Sequence, residues 1–84
     1  MKSVNIDRKK NTALVTLNSK VYKIDNILKV AQTFTGACWV NVDGDVEGVV
    51  RVSLRPKSKD ISVRKVGYEF FNHVLAEMKL SKDA

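Results

Sequence analysis

The spacing of apolar residues changes period repeatedly along the chain, and this change limits the folds available to it. Apolar side chains recur every second residue, as in half-buried strands, in four segments: residues 2–8, 12–17, 37–42 and 48–55. They recur every three or four residues, as in amphipathic helices, at 24–34 and 63–78. The order ββ-α-ββ-α predicts a two-layer α+β sandwich, with a mostly antiparallel sheet and both helices on one face.

Length and composition limit the class of protein. The 84 residues, 44% of them hydrophobic, suit a single small domain over residues 1–84. No apolar run approaches the roughly 18 residues that span a membrane, and no secretion signal begins the chain. Cys38 is the single cysteine, so no internal disulfide forms. We therefore expect a cytoplasmic protein without membrane association, either a monomer or a homodimer.

The first helix has an apolar face and a start and a stop signal. Asp25 is expected to cap its beginning through its carboxylate, and Gly36 to close its end in a left-handed conformation. The apolar face follows helical spacing at Ile24, Ile27, Leu28, Ala31 and Phe34.

The second helix carries the widest apolar stripe. Asp60 or Ser62 is expected to cap its start, and Lys79 and Lys82 lie where the helix dipole favours cations. The stripe comprises Val63, Val66, Gly67, Phe70, Phe71, Val74, Leu75 and Met78.

The alternation in the later strands predicts an open sheet face with a candidate binding site. If the helices cover Cys38, Val40, Val42, Val50, Val52 and Leu54, three large residues point the other way together: Trp39, Arg51 and Arg55. With the net charge of +6, they could stack on bases and meet phosphates, or anchor a protein interface. The alternative is a packed tryptophan under arginine side chains or under the N-terminal hairpin.

The segment VNVDGDVEG, residues 40–48, is either a metal-binding loop or a hairpin. Placing Asn41, Asp43 and Asp45 on the first calcium ligands of an EF-hand puts valines where that loop needs glycine and glutamate. Asp43-Gly44 between alternating strands instead predicts a hairpin turn, lengthened by 45–48. We expect no metal site, with weak binding of a hard cation to Asp43, Asp45 and Glu47 left open.

The sequence contains little that suggests catalysis. His73 is the only histidine, and its distance in sequence from Cys38 gives no metal-ligand pattern. A dyad of Cys38 and His73 is the one enzymatic hypothesis that spacing leaves open. The four glycines are scattered, so no phosphate-binding loop is present. We expect no catalytic residues and no cofactor.

The later part of the chain resembles a known family over residues 21–78. The segments VYKIDNILKVAQTFTGACWVNVDGD, VVRVSLRPK and GYEFFNHVLAEMKL are similar to the small D-type protein of the His-Xaa-Ser peptide-modification system, the HxsD-like family. The matching positions are Tyr22, Ile27, Leu28, Ala31, Phe34, Thr35, Cys38, Val40, Leu54, Pro56, Lys57, Glu69, Phe70, Asn72 and Leu75. Members of that family accompany radical-SAM enzymes, so the resemblance implies an accessory protein and carries over no catalytic residue.

Three hypotheses of function follow. The first is a non-catalytic binding protein that presents a peptide or protein partner to a modifying enzyme, as the resemblance implies. The second is a small basic nucleic-acid-binding domain that uses the face of Trp39, Arg51 and Arg55. The third is an enzyme that uses Cys38 and His73.

Overall fold

Two hairpins alternate with two helices in the computed structural model, which describes residues 3–45 and 47–82, with side chains through residue 79. The elements are β1 (Val4–Asp7), β2 (Thr12–Asn18), α1 (Ile24–Phe34), β3 (Cys38–Gly44), β4 (Val49–Pro56) and α2 (Val63–Lys82). The predicted α+β class and the order ββ-α-ββ-α are confirmed. Predictions that concern Lys2, Val46 and the side chain of Lys82 lie outside the described residues.

The four strands form one antiparallel sheet in the order β1-β2-β4-β3. The two strands of the second hairpin differ in position. Strand β4 lies inside the sheet, next to β2, whereas β3 lies at the edge of the sheet. Val52 of β4 pairs with Val15 of β2 on one side and Val42 of β3 on the other. Since a strand alternates its two faces, this register puts the valines of all three strands on one face.

Both helices cover that valine face, as the sequence predicts. Phe70 of α2 is fully buried, and its ring lies 5.3 Å from the Phe34 ring of α1 in an edge-to-face arrangement. Gly67 brings α2 close to the first hairpin, since a Cβ there would lie 2.9 Å from Cγ1 of Val4 and 3.0 Å from Cβ of Ala13. The helices therefore form one layer and leave the opposite sheet face uncovered by helix.

The apolar stripe of α1 differs from the predicted one. Leu28 is 48% exposed, whereas Val30, which the prediction omits, is buried. Ile27, Val30 and Ala31 follow the spacing i, i+3, i+4 and form the true contact line. Leu28 is about 100° around the helix from Ile27, so it falls beside the sheet.

The predicted ends of α1 are also corrected. Lys23 is the N-cap residue and makes no side-chain cap bond, while Asp25 lies within the first turn, where its charge still suits the helix dipole. The C-cap residue Thr35 is right-handed, and its carbonyl accepts a 2.9 Å hydrogen bond from Nζ of Lys57. A lysine side chain thus satisfies a carbonyl at the helix end. Gly36 does not adopt the predicted left-handed conformation, because its φ is not positive.

The structure distinguishes between Asp60 and Ser62, the two residues predicted to cap the start of α2. Oγ of Ser62 accepts a 3.3 Å hydrogen bond from the backbone N–H of Lys65, three residues on, as an N-cap residue does. Asp60 lies outside the helix, where its own N–H donates to Oγ of Ser58. Ser62 is therefore the cap.

Candidate functional site: the open sheet face and a basic groove

The three predicted site residues all lie on the uncovered sheet face, but in two separate places. Trp39 and Arg55 are cross-strand partners in β3 and β4, so their side chains lie next to each other. Arg51 is about 13 Å further along β4 and lies opposite Asp43 and Thr16. The structure thus brings Trp39 and Arg55 together, while Arg51 has a carboxylate as its cross-strand neighbour.

Trp39 is a surface residue held in place by a cation. Its side chain is 62% exposed, which rules out both the core position and the cover by the first hairpin. Nζ of Lys57, not an arginine, lies over the ring at 4.5 Å from its centroid. The same Nζ donates to the Thr35 carbonyl at 2.9 Å, so Lys57 is fixed at both contacts. The indole is therefore held at the surface and exposed to solvent.

A groove with five cationic side chains lies beside this tryptophan. The turn between β1 and β2 forms one wall, and the end of β4 with its following loop forms the other. Its volume is about 560 Å³. It is lined by Lys9, Lys10, Asn11, Thr12, Arg55, Pro56, Lys57, Ser58 and Lys59. We call it the basic groove.

The charges of the basic groove are not compensated by ion pairs. No acidic residue is among the described residues that line it. In the described part of the chain, the one ion pair joins Nζ of Lys29 to Glu77 at 3.3 Å, on the two helices. Five neighbouring cations without a counterion create a positive potential that attracts an anionic partner.

In the turn between β1 and β2, the two lysines are hydrogen-bonded only through their own backbone groups. Oδ1 of Asp7 accepts hydrogen bonds from the N–H groups of Lys9 and Lys10 at 3.1 and 3.2 Å. Asn11 has φ of 49°, a left-handed conformation that asparagine tolerates. The ammonium groups of both lysines thus have no role in forming the turn.

The loop of the second hairpin is a turn, but its position differs from the predicted one. Gly44 still pairs with Val50 within the strands, and its φ of 120° suits only glycine. The chain reverses at residues 45–48, where N–H of Gly48 donates to the Asp45 carbonyl at 3.0 Å. The hairpin prediction is confirmed, and its turn begins two residues later than predicted, at Asp45 instead of Asp43.

The carboxylates of this hairpin accept local backbone hydrogen bonds. Oδ1 of Asp43 accepts from N–H of Gly44 at 2.7 Å, and Oδ1 of Asp45 from N–H of Glu47 at 2.9 Å. Among the residues that the structure describes, no three of His, Cys, Asp and Glu lie close enough together to hold a metal ion.

We predict that calcium leaves the fold and its stability unchanged. The loop lacks the glycine and the bidentate glutamate of a calcium loop, and a weakly bound ion present near its Kd adds less than about 0.5 kcal/mol. Thermal unfolding with and without calcium, and isothermal titration calorimetry, measure this. Micromolar binding that Asp43→Asn abolishes would show a metal site.

Cys38 and His73 differ in their surroundings. Cys38 is buried beneath the helices, and burial raises the pKa of its thiol, against the opposing effect of the Lys57 ammonium group. His73 is exposed on α2, where its ring packs edge to face on Phe34 at 5.3 Å. Burial keeps the Cys38 thiol protonated at neutral pH, which is the unreactive form.

We predict slow labelling of Cys38 by a thiol reagent in the native protein. The rate is expected to increase only above pH of about 8.5, the ordinary thiol pKa, as the thiol ionises or the fold opens. Because the folded-state pKa is raised, the thiol's contribution to stability is full below that pH and is lost as pH rises through the folded pKa. Labelling at pH 7 as fast as in denaturant would contradict a buried structural cysteine.

The geometry defines a small α+β domain with a helix-free sheet face and a basic groove at one end of it. The sequence predicts the exposed position of Trp39 and Arg55 but not the basic groove, whose two walls are distant in sequence. No described helix is long and apolar enough to cross a membrane. Comparisons with protein-family models, curated proteins and solved structures find no match to the chain.

Proposed function

We propose that the protein is a non-catalytic binding module that presents a peptide or protein to a modifying enzyme. The observation that carries this proposal is the exposed indole of Trp39, held by Lys57 beside Arg55 on a face without helices. Tryptophan and arginine are the residues that most often anchor protein interfaces. We assign no catalytic residue and no cofactor to the chain.

The resemblance to the HxsD-like family supports the same conclusion. Several positions that carry it, among them Cys38, Leu54 and Phe70, are fully buried. Lys57 is an exception, because it is exposed and contacts Trp39. A core shared with that family is compatible with an accessory role, and the partner is then a peptide of the modification system or its enzyme.

The test uses proteins encoded beside this chain. A radical-SAM enzyme and a His-Xaa-Ser repeat peptide, if encoded there, are purified and mixed with the chain. We expect a complex with one of them on size exclusion, and no change in peptide mass when the chain is the only protein added. Modification of the peptide by the chain alone would contradict a non-catalytic role.

A second candidate function is the binding of single-stranded nucleic acid. The specific observation in its favour is the basic groove, since lysines without counterions meet phosphates and Trp39 offers a stacking surface next to them. The same groove also suits carboxylates. Salt dependence separates the two, because phosphate contacts release condensed counterions and lose affinity steeply with salt.

A further inference from the structure

The outer edge of β3 is the longest unpaired strand edge in the described sheet. β3 has seven residues and pairs only with β4 among the described strands, whereas the opposite edge strand, β1, has four. A long edge strand presents a row of backbone donors and acceptors to which another chain can pair. Natural proteins usually protect such an edge with proline, a bulge or a lysine.

The hydrogen bonds of the second hairpin define which backbone groups of β3 face outward. N–H of Lys57 donates to the Ala37 carbonyl, and N–H of Asp45 donates to the Val49 carbonyl, both at 2.9 Å. Because bonded and non-bonded residues alternate in an antiparallel ladder, the odd-numbered residues of β3 face β4. The N–H and carbonyl groups of Cys38, Val40 and Val42 therefore face the outer edge.

Among the described residues, the half of this edge that begins at Cys38 has none of the usual protective features on β3 itself. β3 contains no proline and no lysine, and its register with β4 runs without a bulge from Cys38 to Gly44. Three side chains of β3 lie on the open sheet face, and two of them, Trp39 and Asn41, are uncharged. The third, Asp43, lies beyond them toward the hairpin loop, so the half of β3 next to Trp39 has no charged side chain of its own, and the nearby charges are the cations Lys57 and Arg55.

The basic groove lies at the same end of β3. Cys38 and Trp39, the first residues of the strand, are the cross-strand partners of Pro56 and Arg55, which line the groove. Neighbouring strands are about 4.8 Å apart, so a chain paired on the β3 edge ends about 10 Å from β4, close to Nζ of Lys57 over the Trp39 ring. The turn with Lys9 and Lys10 is three strand spacings away or more, about 14 Å, and is reached only by residues that continue past the paired strand across the end of the sheet. A nucleic acid has no backbone donors and acceptors with strand spacing, so this edge favours a peptide.

We infer that an extended peptide with acidic residues at its C-terminal end pairs antiparallel with the outer edge of β3, as an additional strand. Antiparallel pairing places that end at the start of β3, and the acidic residues that follow the paired segment continue past Lys57 into the basic groove. The inference rests on the proposed function and specifies it, because it names the partner's chemistry and its mode of binding.

The experiment uses Trp39, the single tryptophan, as a fluorescent reporter. The probe is a synthetic peptide of about ten residues, the length of a long strand, with alternating threonine and valine followed by C-terminal glutamates. A second peptide has the same composition with the glutamates at its N-terminus. We expect the first to bind at least about tenfold more tightly, because only its carboxylates reach the groove.

Charge variants test the groove against the overall charge of the protein. Lys9→Glu, Lys10→Glu and Lys59→Glu are combined in one variant, and its matched control carries Lys20→Glu, Lys23→Glu and Lys65→Glu. All six lysines are exposed, and no side-chain contact of theirs holds the described fold. We expect about a tenfold or greater loss of affinity in the groove variant beyond that of the control. Equal losses would mean that net charge alone acts, and would overturn the assignment to the groove.

Val40→Pro tests the edge, because it removes one outward-facing N–H. Proline is tolerated in an edge strand where its N–H would face away from the sheet, so the circular dichroism spectrum is expected to stay unchanged. The same test is made from the ligand with a peptide N-methylated in its central residues, which leaves the protein untouched. Both changes are expected to lower affinity about tenfold or more.

Three results would overturn the inference. They are unchanged affinity for the N-methylated peptide, tighter binding of mixed single-stranded RNA than of the acidic peptide, and no fluorescence change up to about 1 mM peptide. A natural partner that needs Trp39 but is insensitive to Val40→Pro would overturn the inference and leave the proposed function intact. Absence of any peptide or protein partner would remove the proposed function itself.

Discussion

Phe70→Ala is expected to lower the free energy of unfolding by about 3–5 kcal/mol, the usual cost of truncating a fully buried phenylalanine. A domain of 84 residues has roughly 4–13 kcal/mol to lose, so the substitution removes at least about a quarter of its stability. The ring packs on Phe34 of the other helix and belongs to the core between the helix layer and the sheet. Urea denaturation measures the change directly.

Tyr68→Ala is the matched control on the same helix. Tyr68 is an aromatic residue of α2 that is 45% exposed, with the Arg64 guanidinium 5.8 Å from its ring. An exposed contact of this kind contributes about 0.5–1 kcal/mol at most. Equal destabilisation by the two substitutions would contradict the packing of both helices on one sheet face.

Trp39→Ala is expected to lower the affinity for the partner about 30-fold or more while leaving stability nearly unchanged. A central interface tryptophan contributes about 2 kcal/mol or more when it is truncated. Because the side chain is 62% exposed, its removal leaves no cavity, and the free energy of unfolding changes by less than about 1 kcal/mol. Titration calorimetry and urea denaturation of one sample give both numbers.

Lys57→Gln and Tyr68→Ala complete this comparison. Lys57→Gln keeps a polar side chain, one heavy atom shorter, and removes the cation over the indole, so we expect a smaller loss of affinity than for Trp39→Ala. Tyr68→Ala removes an exposed aromatic residue from the helix layer and is expected to leave affinity unchanged. Normal partner binding by a Trp39→Ala variant would show that the open sheet face is not the binding surface.

Most of the fold follows from the periodicity of apolar residues. All six elements lie where the alternation or the helical spacing predicts them, and the inward residues of β3 and β4 are the predicted ones. The errors lie at ends and edges. Asp25 and Gly36 fit local capping preferences, but the carbonyl of the C-cap residue Thr35 is satisfied by Lys57, which is distant in sequence. Local patterns contain no information about such a contact.

The candidate site could be predicted only in part, for the same reason. Alternation along β3 and β4 predicts that Trp39 and Arg55 lie on the open sheet face, and the structure confirms that position. The basic groove depends on the register of β2 with β4, which brings the turn at Lys9 and Lys10 next to Lys57 and Lys59. Strand pairing between residues as distant in sequence as Ala13 and Leu54 is a tertiary property, so charge patterning alone could not assemble the groove.

The salt dependence of binding, followed by Trp39 fluorescence, tests the central claim most directly. The protein is titrated with the partner peptide or enzyme, and with mixed-sequence single-stranded RNA, at low and at physiological salt. About four lysine or arginine contacts to phosphates give a slope of log affinity against log salt of roughly −3 on single strands. We expect peptide or protein binding to persist at physiological salt and RNA binding to vanish there. RNA binding that persists at physiological salt and requires Trp39, without binding to any peptide or protein, would contradict the account.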